Sequence, residues 1–90
     1  MRDEKMAEVS ESCPPMVAFI LVSTKLGELW KVVEEARKIE GVKMAKAVAG
    51  RFDVVVYAET PNLSWIIARL HSLKGVIRTE SMIVLEAKFE

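Results

Sequence analysis

Gly75-Val76-Ile77-Arg78-Thr79-Glu80-Ser81-Met82-Ile83-Val84-Leu85 sets the grammar of the whole 90-residue chain. Its glycine tolerates the left-handed backbone that stops a helix. A short hydroxyl-bearing segment follows, and Met82 to Leu85 is a β-branched apolar run that reads as a buried strand. A helix end, polar groups and a strand thus succeed one another within a few residues. The same grammar occurs earlier: Ile39-Glu40-Gly41-Val42 aligns with Leu73-Lys74-Gly75-Val76, displaced by 34 residues. That displacement also superposes Leu29 on Leu63, Val32 on Ile66, Val33 on Ile67 and Ala36 on Leu70. The chain reads as two copies of one strand–helix–strand unit, an internal pseudo-symmetry and not a solenoid.

Working outward, residues 1–15 are polar and charged, without apolar period, and end in Cys13-Pro14-Pro15. Such a composition cannot offset its ordering entropy, so a flexible amino-terminal tail is expected, with one folded domain over residues 16–90. The tail is too short for a helix-turn-helix. Met16 to Val22 is an unbroken apolar run, the pattern of a central strand buried on both faces. From Glu28 to Glu40, Leu29, Val32, Val33, Ala36 and Ile39 recur at helical spacing, with Glu34, Glu35, Arg37 and Lys38 opposite. Val42 to Ala49 reads as a weaker strand whose Lys43 and Lys46 suit a sheet edge. Gly50-Arg51-Phe52 is a three-residue hairpin connection into the apolar strand Asp53 to Ala58. Thr60-Pro61-Asn62 offers caps for a second helix with the stripe Leu63, Ile66, Ile67, Leu70 and Leu73. After Gly75 the closing strand runs to about Phe89. The order βαββαβ predicts an α+β ferredoxin-like sandwich: a four-stranded antiparallel sheet with two helices on one face. The other face is left apolar and bare. A second copy packing face to face would cover it, so a sheet-mediated homodimer is expected.

Composition narrows the function. Hydrophobic residues make up 51% of the chain, high for so small a domain, which again points to a partner-covered surface. Thirteen basic residues balance thirteen acidic ones, so no net field draws the chain to nucleic acid or to an anionic membrane. One cysteine excludes an intrachain disulfide and a multi-cysteine metal site. No apolar run reaches the ~18–20 residues of a membrane helix, and the charged amino terminus is unlike a signal peptide; a cytoplasmic protein is expected. Absence of glutamine and a single asparagine lean toward a thermophilic source.

No P-loop, dinucleotide-binding glycine pattern or CxxC occurs, and no cofactor or metal is implied. His71, the single histidine, has no cysteine or carboxylate at metal-ligand spacing and reads as a partly solvated side chain. Trp30 and Trp65 lie well off their helices' apolar stripes. Either they mark a contact surface or they lie over neighbouring Lys and Arg stems. Gly50, Arg51, Phe52, Asp53, Thr79 and Ser81 are the groups best suited to a small polar ligand. A zwitterionic amino acid needs donors for its carboxylate, which turn amides and Arg51 supply, and an acceptor for its ammonium, which Asp53 supplies. Thr79 and Ser81, two apart in a strand, put hydroxyls on one face. The competing reading is ordinary turn chemistry, with Asp53 capping its own hairpin.

Gly41-Val42, the Gly50-Arg51-Phe52-Asp53 turn and the Gly75 to Leu85 segment, all in register, resemble the effector-binding (RAM) domain of the Lrp/AsnC, or feast/famine, regulators. The resemblance covers about residues 16 to 88. It departs at Leu26-Gly27, where many members have Pro-Gly, and at Ser81, where threonine is commoner. It implies a domain that dimerises through its sheets, assembles into larger even-numbered rings and binds amino acids between dimers. It also implies effector contacts at Gly50, Asp53, Thr79 and Ser81. A stand-alone member would modulate full-length regulators by co-assembly and would not itself bind DNA or catalyse a reaction. Two other classes share the βαββαβ order: dimeric α/β-barrel enzymes of the monooxygenase or isomerase type, and ACT-type regulatory modules. The first would want polar or histidine side chains in a sheet-lined cavity, and the second pairs its sheets edge to edge. The Gly50 hairpin and Thr79 are expected at opposite ends of the sheet, so that a site using both would need two subunits.

Overall fold

The computed structural model describes residues 15–85. All of the expected tail but Pro15, Cys13 with it, and residues 86–89 of the expected last strand lie outside the described residues; within them that strand ends at Ile83, short of the expected Val84 and Leu85. Six elements follow in the order β1 (Met16–Thr24), α1 (Leu29–Ala36), β2 (Val42–Ala47), β3 (Val54–Thr60), α2 (Leu63–His71) and β4 (Val76–Ile83). All four strands join one antiparallel sheet in the order β2-β3-β1-β4. This is the ferredoxin-like arrangement that the sequence predicts. β1 and β3 are central because only they are apolar on both faces along most of their length. β2 takes an edge, where Lys43 and Lys46 stand exposed.

One sheet face carries the core. Ala18, Ile20 and Val22 of β1 pair with Ala58, Val56 and Val54 of β3, and all six are fully buried. Onto them pack Val32, Val33 and Ala36 of α1 and Leu63, Ile66 and Leu70 of α2, so both helices cover the same face. Burying each larger aliphatic side chain contributes about 1.5–3 kcal/mol, which is what holds the helices down. On the other face Val17, Phe19 and Leu21 stand opposite Glu59, Tyr57 and Val55, all only half-buried. No helix of the described residues is long and apolar enough to cross a membrane.

Several boundaries differ from expectation. Each helix ends before its glycine, at Ala36 and His71, and the chain continues in tight turns. Val42 N–H donates to the Ile39 carbonyl at 3.0 Å, and Val76 N–H to that of Leu73 at 3.3 Å. Gly41 and Gly75 each hold the third position of such a turn with φ of +97° and +98°, the positive value that a type II turn demands there. Asn62, and not Thr60, caps α2, accepting from Trp65 N–H at 3.1 Å; the Thr60 hydroxyl instead accepts from Asn62 N–H at 3.0 Å. β2 and β3 are joined by residues 48–53, a longer connection than expected, because β2 ends at Ala47 and Asp53 bonds to β1 in place of opening β3. β4 is an edge strand and not a buried one: Met82 and Ile83 are each 48% exposed.

The two glycine turns allow a controlled test. Their φ values match, so an added Cβ strains the backbone equally at each, about 1–2 kcal/mol. Their surroundings do not match. At Gly41 a Cβ would meet the tip of Ile66, Cδ1, at 2.9 Å, which can rotate away. At Gly75 it would meet Glu28 Cβ at 2.5 Å, close to the α1 backbone. Gly75→Ala is therefore expected to cost about 1–3 kcal/mol more than Gly41→Ala. Urea denaturation of both variants measures the difference, and equal losses would show that α1 yields at Glu28 without penalty.

Candidate functional site

The register of β1 places the predicted site residues. Val22 pairs with Val54 on one side and with Thr79 on the other. The Gly50 turn, which leads into Val54, and Thr79 therefore lie at the same end of the sheet, against the expectation of opposite ends. Two inter-strand spacings, about 10 Å, separate Val54 from Thr79. The physical reason is direction: β3 and β4 are both antiparallel to β1, so both start where β1 finishes. One subunit brings both elements to one end, and the need for two subunits does not follow from strand length.

At this end Asp53 is the best-fixed side chain. Its Oδ2 accepts from Thr24 N–H at 2.8 Å, and its own N–H donates to the Val22 carbonyl at 2.9 Å. Asp53 thus caps the end of β1 and not its own hairpin. The hairpin is closed by Val48 N–H donating to the Asp53 carbonyl at 2.8 Å. Gly50 and Arg51 are exposed, and none of the described residues stands within 4 Å of where a Gly50 side chain would begin. Phe52 is half-buried beneath Arg78, whose guanidinium carbon lies 5.3 Å from the ring centroid.

Thr79 and Ser81 share a face, as their spacing predicts. Opposite Val22 and Ile20, they belong to the helix-covered side and are half-buried. Thr79 Oγ1 lies 3.0 Å from His71 Nε2, on the last turn of α2. The imidazole tautomer sets which of the two donates. His71 is the neighbour that sequence reasoning missed. Two signals pointed to it: Thr79 alternates onto the helix side of β4, and His71 is the last polar residue of α2.

A groove of about 480 Å³ opens beside Asp53, lined also by Thr24, Lys25, Leu26, Gly27, Leu29 and Trp30. Both tryptophans face outward as expected, Trp30 at 71% exposure and Trp65 at 42%. They are not equivalent. Arg69 lies over the Trp65 ring at 5.7 Å from its centroid, the stem-covering arrangement, whereas no cation stacks on Trp30 among the described residues. Among those residues no group of three His, Cys, Asp or Glu side chains could hold a metal ion.

The Asp53 cap makes its own prediction. Asp53→Ala leaves the Thr24 N–H without its acceptor and should lower stability by about 1–2 kcal/mol. Asp53→Asn keeps an oxygen in that place and should lose roughly half as much or less. Chemical denaturation compares them; equal losses would show that charge, and not the hydrogen bond, secures the end of β1.

The family model described as the Lrp/AsnC ligand binding domain matches residues 17–90. No curated protein matches the chain significantly. Among solved structures, the hypothetical protein PHS023 of Pyrococcus horikoshii is 29% identical, with 80% of this chain and 92% of that one covered and a TM-score of 0.72. FFRP-DM1 is 30% identical over 78% of this chain and 99% of that one, with a TM-score of 0.72. The transcriptional regulator NMB0573 of Neisseria meningitidis, solved in complex with L-methionine, is 23% identical, with 83% and 53% covered and a TM-score of 0.68. At that identity it speaks for the fold alone. With the family model running from the start of β1 through the last strand, over glycine turns that fall where the sheet needs them, the chain belongs to the Lrp/AsnC ligand-binding domain family.

Proposed function

We propose that this protein is a cytoplasmic, non-enzymatic sensor of amino acids that works as a homo-oligomer and modulates full-length regulators of its family by co-assembly. The observation that carries the reading is the placement of the Gly50–Asp53 turn and Thr79 at the same end of the sheet in a chain of this family. An anionic carboxylate, exposed turn amides and a hydroxyl there supply both signs of partner that a zwitterion needs. The match to a ligand-binding domain family over residues 17–90 supports a small-molecule ligand.

Oligomerisation is proposed from the sheet face that no other described element covers. Phe19 and Tyr57 already pack there with ring centroids 5.1 Å apart, and Met44 and Met82 flank them. The Tyr57 hydroxyl donates to Glu59 Oε2 at 3.3 Å. Loss of solvent around the ring and the adjacent Glu59 carboxylate push this phenol above its ordinary pKa. A second copy laid on this face would remove the aliphatic and aromatic residues from water while leaving the charged rim hydrated.

Thermal denaturation with each amino acid tests the ligand. A true effector at 100 times its dissociation constant should add about 2.7 kcal/mol of stability, and no shift with any amino acid would refute the sensor. For the assembly, Met82 and Ile83 form a matched pair, both 48% exposed in the chain. Met82 stands opposite Phe19 on the open face, and Ile83 opposite Ala18 on the helix side. Met82→Asp should drive the species seen by light scattering toward the 10.1 kDa of one chain, since an unpaired charge buried in the interface costs several kcal/mol. Ile83→Asp should leave the oligomer intact. The reverse pattern would place the interface on the other face.

A further inference from the structure

We propose that Lys46 of one copy pairs with Glu80 of another across the open sheet faces, and that these contacts fix the direction in which the two faces meet. This rests on the homo-oligomer reading above and deepens it, naming the residues that orient the assembly. Strand pairing sets the open face out in rows. Met44, Tyr57, Phe19 and Met82 stand side by side in one row, from β2 through β3 and β1 to β4. The next row is Lys46, Val55, Leu21 and Glu80. That second row has an apolar centre and opposite charges at its two ends, both exposed. Three inter-strand spacings, about 14 Å, separate the ends, with Val55 and Leu21 standing between them. The one ion pair among the described residues is Lys38 with Glu35, so neither Lys46 nor Glu80 has such a partner there. Arg78 and Glu59 stand in the outer rows of the same face, opposite Ser23 and Val17, and each already has a contact within the chain, with Phe52 and Tyr57.

A symmetric dimer must lay this face on itself about a two-fold axis between the sheets. Stacked sheets keep their strands within about 30° of each other, so the axis runs either across the strands or along them. An axis across the strands lays β2 on the partner's β2 and β4 on its β4, with the rows inverted. Each charge then meets its own copy or a methionine of the neighbouring row. An axis along the strands, over the seam between β1 and β3, keeps the rows level and lays β2 on the partner's β4. Lys46 then faces the partner's Glu80 at both rims, Leu21 faces the partner's Val55, and Phe19 faces the partner's Tyr57. Opposite charges meet at the edges and apolar groups in the middle, the distribution that gives an interface both affinity and register. The face is self-complementary in this second orientation and not in the first.

Exchanging the charges tests the pairing, and both side chains are exposed, so the fold should tolerate it. Lys46→Glu and Glu80→Lys each create two like-charge contacts in the dimer. Each should weaken self-association about tenfold in analytical ultracentrifugation at low salt, and added salt should narrow the deficit by screening. Mixed in equal amounts, the two variants should form the heterodimer in preference to either homodimer, as seen by native mass spectrometry, because both of its contacts are attractive. A chain carrying both exchanges should self-associate like wild type. Undiminished self-association of both single variants, or a statistical mixture of the three dimers, would overturn the pairing. If Met82→Asp still disperses the wild-type oligomer in that case, the sheet-face assembly stands without it. A wild-type protein that remains a single chain of 10.1 kDa would overturn both.

Discussion

Because β1 is hydrogen-bonded on both sides and antiparallel to both neighbours, β3 and β4 must begin at the end where β1 finishes. That single constraint collects Thr24, Asp53, Gly75 and Thr79, which are far apart in sequence, into one rim. It also explains why Asp53 serves β1. A strand that ends in a central position leaves its next N–H pointing at a neighbour's turn, and a carboxylate there can receive it. The backbone pairing of Val22 to both sides thus does more than hold the sheet together, since it decides which turns are neighbours and so where a small ligand can be met from several elements.

The internal repeat supplies the two halves of this architecture, and its departures supply the chemistry. Both halves use a glycine turn whose carbonyl is taken by the strand opposite. Glu59 N–H donates to Gly41 at 2.9 Å, and Lys25 N–H donates to Gly75 at 2.8 Å. Backbone geometry is therefore common to both. Side chains are not: the second half caps its helix with Asn62 and sets Arg69 over its tryptophan, while among the described residues the first half has no side-chain cap on α1 and no cation over Trp30. The duplicated scaffold thus carries one end with a capped helix and a cation over its tryptophan, and one end with neither among the described residues.

Much of this was legible in the residues. The strands follow from runs such as Met16 to Val22, and the helices from stripes such as Leu29, Val32, Val33 and Ala36, because periodicity records which faces leave water. The glycine turns were legible because positive φ restricts the residue type. Three features were not. The helix ends were overrun, since Ile39 and Leu73 keep the apolar spacing after the α-helix has given way to tighter turns. The 48–53 connection looked shorter because β2 stops two residues early, at Ala47, and because Asp53 is recruited by Thr24, a partner 29 positions away. The placement of Thr79 depends on which strand β4 joins and in which direction, and the contact with His71 on whether α2 ends above it. Neither is a property of local sequence. Candidate residues could therefore be named from the chain, but their spatial grouping had to come from the sheet.

β4 is where these levels meet. Its alternation puts Thr79 and Ser81 on the helix side, and Arg78, Glu80 and Met82 on the open side, opposite Ser23, Leu21 and Phe19. A group that engages Thr79 competes with or reorients His71 and so bears on the packing of α2 over the strand. The same strand, one residue away, presents the guanidinium that lies over Phe52 and the methionine that borders the aromatic pair of the open face. β4 is an edge strand, paired only to β1 among the described residues, so less backbone bonding resists its adjustment than at β1 or β3. In the proposed sensor, the strand that carries the hydroxyls is thus also one of the two edge strands of the face on which a second copy would sit, a physical route from ligand to assembly that needs no distant relay.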